Sequence, residues 1–317
     1  MSDLPGEFSL IARHFRPLAG SGALSLSDDA AVFAPPPGRE LVVSADALVA
    51  GVHFLPDDPP ALIGRKLLRS NLSDLAAMGA TPLGYLMTVA APRATPDGWF
   101  AGFAAGLAAD QAEFGISLLG GDTTSTAGPV SLSLTILGHV APGAALRRGG
   151  AVAGDGLWVS GSIGDGALGL LAARGEIADP DGYLAGRYRL PRPRLALGQA
   201  VAGIAHAGMD VSDGLVQDCG HLCRAGGLGA VIEAAAVPLS PAARAADRLA
   251  LCLTGGDDYE LLLAVPPGSE AALAQAAARC CTPVTRIGAF VAEPPVVAVR
   301  GADGTPMALG AGGWSHF

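Results

Sequence analysis

APGAALRRGGAVAGDG, residues 141–156, decides how this chain is divided. It is rich in glycine and has neither the 3.6-residue period of a helix nor the alternation of a strand, so it reads as a domain boundary. On its N-terminal side, EFSLIARHF (7–15) reads as a short amphipathic helix and ELVVSADALV (40–49) as a strand running into a turn at Asp46. Residues 60–78 follow as a helix, LGYLMTVAAP (83–92) as a strand ended by Pro92, and 97–114 as a helix. GISLLGGD (115–122) reads as a strand entering a glycine turn, and VSLSLTILGHV (130–140) alternates as a half-buried strand does. On the C-terminal side the pattern predicts strands over 157–163, 229–235, 258–265 and 296–300, with helices over 165–174, 192–208, 213–223, 240–250 and 269–280. Strands and helices mix without strict alternation on both sides. The expected class is therefore α+β (mixed α/β) in two domains, 1–145 and 146–317, rather than one doubly wound sheet.

With 317 residues, half of them hydrophobic, each part has enough apolar sequence for its own core. The net charge of −9 argues against nucleic-acid binding, which calls for a basic stripe. The densest basic patch, RLPRPR (189–194), is short. Five cysteines in no regular framework argue against a disulfide scaffold. CGHLC (219–223) lacks the paired spacing of a zinc ribbon, and its thiols read as structural. The N-terminal stretch shows no signal-peptide pattern and no run approaches a membrane span, so the expected compartment is the cytoplasm with no membrane partner.

Two nucleotide motifs fail. GDGALG (164–169) matches GxGxxG after an expected strand, but the acid a dinucleotide site wants about 20 residues on is replaced by the basic YLAGRYRLPRPR. No GxxxxGK[ST] or GxSxG occurs, so neither a P-loop nor a nucleophile elbow is indicated.

What recurs instead is aspartate beside glycine, serine or alanine: SLSDDAAVF (25–33), SADAL (44–48), NLSDLAAMG (71–79), LLGGDTTST (118–126), MDVSDGL (209–215) and LTGGDDYEL (253–261). Any one of these could be a helix cap or a turn. The set is harder to explain so. Asp74 falls inside an apolar helical stretch, where an unpaired charge costs several kcal/mol, with only Lys66 and Arg69 as nearby cations. Aspartate is a short, hard oxygen ligand suited to Mg²⁺, and small neighbours let phosphate oxygens approach backbone N–H groups. The pattern points to Mg²⁺ ions gripping a polyphosphate.

In number, order and spacing, these motifs resemble the thiamine-monophosphate kinase family. That family belongs to a superfamily with aminoimidazole ribonucleotide synthetase, selenophosphate synthetase and a carbamoyl-handling hydrogenase maturation factor. GEFSLIARHF (6–15), SADALVAGVHF (44–54), LRRGGAVAGD (146–155), VSGSIGDGALGL (159–170), RPRLALGQ (192–199) and the terminal WSHF (314–317) extend the likeness nearly end to end. The resemblance implies an aminoimidazole ribonucleotide synthetase-like fold: an N-terminal ATP/Mg-binding domain whose sheet forms a homodimer interface, and a C-terminal α+β domain. It implies transfer of the γ-phosphate of ATP to thiamine monophosphate, giving thiamine diphosphate and ADP, with several Mg²⁺ ions.

Carried over by motif, the implied metal ligands are Asp29, Ser44, Asp46, Asp74, Asp122, Asp210 and Asp213. The ATP contacts are Gly120, Gly121, Arg148 and Ser212. The substrate contacts are His53, Asp257 and Trp314. Three departures stand out. Ala45 replaces a usual threonine, leaving only its carbonyl. Asp257 replaces a glutamate and is one methylene shorter, so its contact is direct, water-bridged or lost. Ala311 falls where an aromatic is usual, and Trp314 either substitutes by stacking or simply packs the chain end. No covalent nucleophile is expected, and His53 reads as an orienting group rather than a base. Two alternatives remain: another ATP-dependent reaction of the superfamily, or an ATP–Mg-binding module without turnover.

Overall fold

Four strands make the sheet of the N-terminal unit: β1 (Glu40–Val49), β2 (Thr81–Pro92), β3 (Leu118–Thr126) and β4 (Ser131–Val140), in the order β1-β4-β2-β3. The computed structural model describes residues 6–310 and residue 313. The chain divides into two units, Met1–Leu75 with Thr81–Pro142, and Ala76–Ala80 with Gly143–Phe317. The division after Pro142 falls within the glycine-rich stretch.

Ladder partners share a face and successive residues alternate. One row of the N-terminal sheet carries Leu132, Leu134, Ile136, Tyr85, Met87 and Val89, all buried. After the short helix α1 (Glu7–Leu10), helix α2 (Pro60–Ala77) and helix α3 (Asp97–Phe114) pack on this inner face: the Ser44 hydroxyl meets Asp74 of α2, and Gln111 of α3 donates to the Tyr85 hydroxyl at 2.9 Å. The two helices cross closely because glycine stands at the contact. A Cβ on Gly106 would lie 2.0 Å from the Ala61 carbonyl oxygen, and one on Gly64 2.5 Å from that of Phe103. Fully buried Asp110 of α3 accepts from Arg65 and Arg69 of α2 at 2.7 and 2.8 Å. These arginines are thereby committed to holding the helix pair. The opposite, outer face carries Leu41, Val43 and Leu86, exposed at 48, 59 and 41%.

The C-terminal unit has a six-stranded sheet in the order β10-β7-β9-β5-β8-β6. Its strands are β5 (Gly156–Ser160), β6 (Ala207–Val211), β7 (Gly229–Glu233), β8 (Glu260–Val265), β9 (Val284–Val291) and β10 (Val297–Arg300). Helix α7 (Leu215–Gly226) buries Leu215, Cys219, Leu222 and Cys223 against it, so the two thiols of CGHLC are core residues. A smaller cluster lies among α4 (Asp165–Ala173), α5 (Tyr183–Arg189), α8 (Pro241–Ala246) and α9 (Leu249–Thr254). Helices α6 (Leu195–Val201) and α10 (Glu270–Arg279) complete the unit. Both sheets are mixed, with β2–β3 and β7–β10 parallel. No helix among the described residues is long and apolar enough to cross a membrane.

Several expected boundaries move. β1 runs straight through Asp46, whose side chain sits in the inner row rather than at a turn. β3 likewise passes through Gly120 and Gly121 to Thr126. A Cβ on Gly121 would lie 1.8 Å from the Met87 carbonyl oxygen, so close approach of β2, not a turn, demands glycine there. The helix expected over 192–208 stops at Val201, because Gly203 at φ 83° turns the chain into β6. The helix expected over 240–250 breaks at left-handed Asp247 (φ 50°), and α9 follows.

Candidate active site

The acids of the N-terminal unit fall into two groups, one on each face of its sheet. On the outer side a cavity of about 520 Å³ is lined by Asp28, Asp29, Gly120, Gly121 and Asp122, with Phe15 and Phe33 in its apolar wall. Asp29 comes from the loop before β1 and Asp122 from β3, so folding joins the SDD and GGD motifs at one hollow. Asp122 Oδ1 accepts the Thr123 N–H at 2.8 Å, and Asp28 Oδ1 accepts that of Asp29 at 3.0 Å. Both Asp29 and Asp122 remain exposed.

On the inner side, Ser44 and Asp46 of β1 stand two residues apart on one face, and the Ser44 hydroxyl donates to Asp74 Oδ2 at 2.6 Å. Asp74 is only partly buried, and Arg69 is held by Asp110 and Glu113. Ala45 points the other way, into the row of Thr135 and Leu86. His53 follows β1 in a tight turn; its Nδ1 accepts the Val49 N–H at 3.0 Å, leaving Nε2 to carry the proton, and Lys66 Nζ donates to its carbonyl at 2.9 Å. The register Asp46–Leu134–Met87–Gly121 spans three strand spacings, about 14 Å. Within one chain, then, Asp46 and Asp122 start from opposite faces of the sheet, three strands apart. The structure brings Asp29 to Asp122 and Ser44 to Asp74, and keeps these pairs apart.

In the C-terminal unit, buried Asp210 is the penultimate residue of β6, and Ser212 and Asp213 form the turn into α7. That turn is organised by Asp218, which the motifs did not single out. Its Oδ2 accepts the N–H groups of Ser212, Asp213 and Gly214 at 3.0, 3.1 and 3.1 Å. Burial, reinforced by the Asp213 charge, pushes the Asp218 carboxyl up to about 7. Ligand atoms of Asp213, Asp218 and His221 lie within 4.8 Å of one another. Arg148 sits in a helical turn beside α7, and its charge contributes to lowering the His221 pKa, after burial and Arg224.

LTGGDDYEL is strained. Asp257 and Tyr259 adopt φ of 70° and 53°, left-handed conformations costing on the order of 1–3 kcal/mol each. Asp257 N–H donates to the Ser212 carbonyl and Tyr259 N–H to that of Val211, both at 2.8 Å. Asp257, the expected substrate contact, thus stands one hydrogen bond from Ser212, an expected ATP contact. Between the strained pair, fully buried Asp258 accepts the N–H groups of Gly164 and Gly166 at 2.7 and 2.9 Å. This explains the GxGxxG match: the N–H groups that would bind a pyrophosphate hold a protein carboxylate instead. Trp314 and Ala311 lie outside the described residues.

Sequence reasoning passed over Asp218, and counted Asp258 among the recurring aspartates without giving it a role. The available signals were an acid one helical turn after SDG, and a second acid in GGDD placed immediately before an apolar strand.

Residues 27–140 match the family described as AIR synthase related protein, N-terminal domain, and residues 152–300 match AIR synthase related protein, C-terminal domain. A thiamine-monophosphate kinase of Caulobacter vibrioides is 47% identical over 98% of this chain and 91% of its own length. The crystal structure of thiamine-monophosphate kinase from Stenotrophomonas maltophilia K279a superposes with a TM-score of 0.83 at 39% identity, covering 92% of this chain and 94% of that one. A solved structure described as AaThiL complexed with AMPPCP and TMP gives 0.76 at 28% identity, covering 98% and 97%. With both domain families matched in order, and near-full-length relatives well above 30% identity, the chain belongs to the thiamine-monophosphate kinase family of AIR synthase related proteins.

Proposed function

We propose that the chain is an ATP-dependent kinase that transfers the terminal phosphoryl group of ATP to the phosphate of thiamine monophosphate, forming thiamine diphosphate and ADP. The supporting observation is the meeting of Asp29, Gly120, Gly121 and Asp122 around one cavity in a chain with so few charges. The relative solved with AMPPCP and TMP fits the same pair of reactants.

Both reactants are anions. Two unit charges about 4 Å apart repel by roughly 4 kcal/mol at an effective dielectric of 20, and several such pairs must be offset. The acceptor phosphate oxygen is already ionised near pH 7, so no strong base is required. A bond forms between that oxygen and the terminal phosphorus, and the bond from that phosphorus to the β-phosphate bridging oxygen breaks, its electrons leaving with ADP. This chemistry calls for alignment and positive charge rather than a covalent nucleophile.

The donor set fits Mg²⁺: Asp29, Ser44, Asp46, Asp74, Asp122, Asp210 and Asp213 offer only oxygen, the donor that hard divalent cations take. These residues would hold the ions. When bound, Mg²⁺ offsets the charge on both phosphates and aids in-line alignment. Gly120 and Gly121 let the nucleotide phosphates approach the β3 backbone, and the apolar wall with Phe15 and Phe33 suits a flat base. Arg148 and Ser212 serve the nucleotide, and His53, Asp257 and Trp314 the thiamine side. A second copy of the chain covers the outer face, where Leu41, Val43 and Leu86 present exposed apolar side chains on one side of the sheet. A cytoplasmic setting suits a reaction that consumes ATP.

The test is ADP release with thiamine monophosphate or aminoimidazole precursors as acceptor. Release only with thiamine monophosphate supports the proposal; preference for the other acceptors, or ATP binding without turnover, overturns it.

A further inference from the structure

Asp258 has no part in the proposed contacts, yet it is held on both of its carboxylate oxygens. It is fully buried, and its two oxygens are divided between Gly164 N–H and Gly166 N–H at the start of α4. Gly164 is the N-cap of that helix and offers no side-chain cap, so Asp258 supplies from a distance the acceptor that the helix start lacks. The Asp258 carbonyl in turn accepts from Arg187 of α5 at 3.3 Å.

The helix start it grips is itself fixed. Asp165, the first residue of α4, accepts from Ser162, Tyr183 and Ser240 at 2.6, 2.9 and 2.6 Å. Two residues beyond Asp258, buried Glu260 takes hydrogen bonds from Ser160 and Arg194, each 2.6 Å, and from Arg187 at 3.2 Å. The contact between α4 and the GGDD turn is also close. A Cβ on Gly166 would lie 2.4 Å from both the carbonyl carbon and the oxygen of Asp257. Two left-handed residues, Asp257 and Tyr259, survive on either side of Asp258 because the turn is pinned at so many points.

We propose that Asp258 is a positioning residue for the acceptor side of the reaction: by fastening the 256–259 turn to the first turn of α4, it sets where the Asp257 carboxylate stands and so how tightly thiamine monophosphate is taken. The inference rests on reading Asp257 as an acceptor-side group. The nucleotide side has its own anchor, since the Ser212–Gly214 turn is held by Asp218. Although Asp257 N–H joins the two turns through the Ser212 carbonyl, this second anchor keeps the Ser212–Gly214 turn in place, so loosening Asp258 falls mainly on the acceptor side.

The experiment compares wild type, Asp257→Ala, Asp258→Asn and Gly166→Ala. Asp258→Asn places an amide N–H₂ against a backbone N–H, and Gly166→Ala pushes the Asp257 peptide directly. Both are expected to raise KM for thiamine monophosphate by about tenfold or more while KM for ATP stays within about twofold. Amide hydrogen exchange on wild type provides a second readout independent of variant folding. Thiamine monophosphate should slow exchange at 164–166 and 256–259, and an ATP analogue alone should not. Wild-type KM for thiamine monophosphate in a folded Asp258→Asn, or no change in exchange, overturns the inference. No effect of Asp257→Ala overturns the underlying reading of Asp257 instead, and no thiamine diphosphate from wild type overturns the proposed function.

Discussion

Ser44 and Asp74, thirty residues apart, meet at 2.6 Å, tying the first strand of the N-terminal sheet to the helix that covers its inner face. The serine hydroxyl donates, so one oxygen of Asp74 is oriented by β1. Asp74→Asn should cut kcat/KM at least about a hundredfold while Tm moves little, because the side chain is only partly buried. Ser44→Ala should cost about 10–100-fold, the range typical of groups that orient or supplement a metal ligand. Steady-state kinetics with a thermal melt checks both; a large fall in Tm with unchanged kcat/KM would make the pair purely structural.

Asp122 lies across the sheet from Asp46 and joins Asp29 at the outer cavity. Asp122→Asn should abolish turnover with the fold intact by circular dichroism. Normal turnover at ordinary Mg²⁺ concentrations would remove Asp122 from the ligand set.

Arg148 packs beside α7, and its charge bears on His221 of that helix. Arg148→Ala should raise KM for ATP by about tenfold and leave KM for thiamine monophosphate nearly unchanged. Initial rates with each substrate varied in turn provide the check, and unchanged constants for ATP would exclude this role.

Asp258 also makes stability depend on pH. Burial, against the pull of the Gly164 and Gly166 N–H groups and of Arg187 and with the push of Asp165, raises its carboxyl to about 8. Cys252 also faces it, its thiol likewise pushed up, chiefly by burial. The folded state therefore holds a proton that the unfolded chain releases near 4. This contribution to stability is full below pH 4 and is lost as pH rises through 8. The slope approaches 1.4 kcal/mol per pH unit between those limits. Melts at pH 6 and 8.5 should show wild type losing more Tm than Asp258→Asn, which has no proton to release. Equal losses would mean that Asp258 does not titrate in this window.

The exposed Val43 stands on the outer face with Leu41. Val43→Glu should shift a dimer to monomer in light scattering, with Tm of the monomer little altered. A wild-type chain that is monomeric at micromolar concentration would refute the proposed use of this face.

How much of this was legible in the sequence depended on whether a signal was local. Alternation in VSLSLTILGHV and the apolar period over 60–78 gave β4 and α2 nearly to the residue, because each element buries one face. β6 was missed, its first two residues taken into the expected 192–208 helix, since AGMDV is buried on both faces and has no period to read. β9 was missed for a related reason: VTRIGAFV carries an arginine and a glycine in a strand interior. Asp46 and GGD suggested turns, yet both lie in strands. The local cue was correct about which residues are small and wrong about why.

The aspartates split by role in a way that no motif displayed. Asp58, Asp155 and Asp179 do what caps and turns do, accepting N–H groups of Leu55, Val152 and Ala185. None of them was among the candidate ligands. The roles of Asp218 and Asp258, which hold three and two backbone donors, could not be read because their partners come from a turn or a distant helix. The likeness to known kinases named the ligand set. Only the strand register revealed that Asp46 and Asp122 face opposite ways.

The most direct measurement is phosphorus NMR of wild type with ATP and thiamine monophosphate, with and without Mg²⁺. With the metal, thiamine diphosphate and ADP should accumulate in equal amounts; with chelator, neither should form. Thiamine diphosphate appearing equally without a divalent cation, or ADP and free phosphate appearing without it, would contradict the view that clustered aspartates bring two phosphate anions together through Mg²⁺.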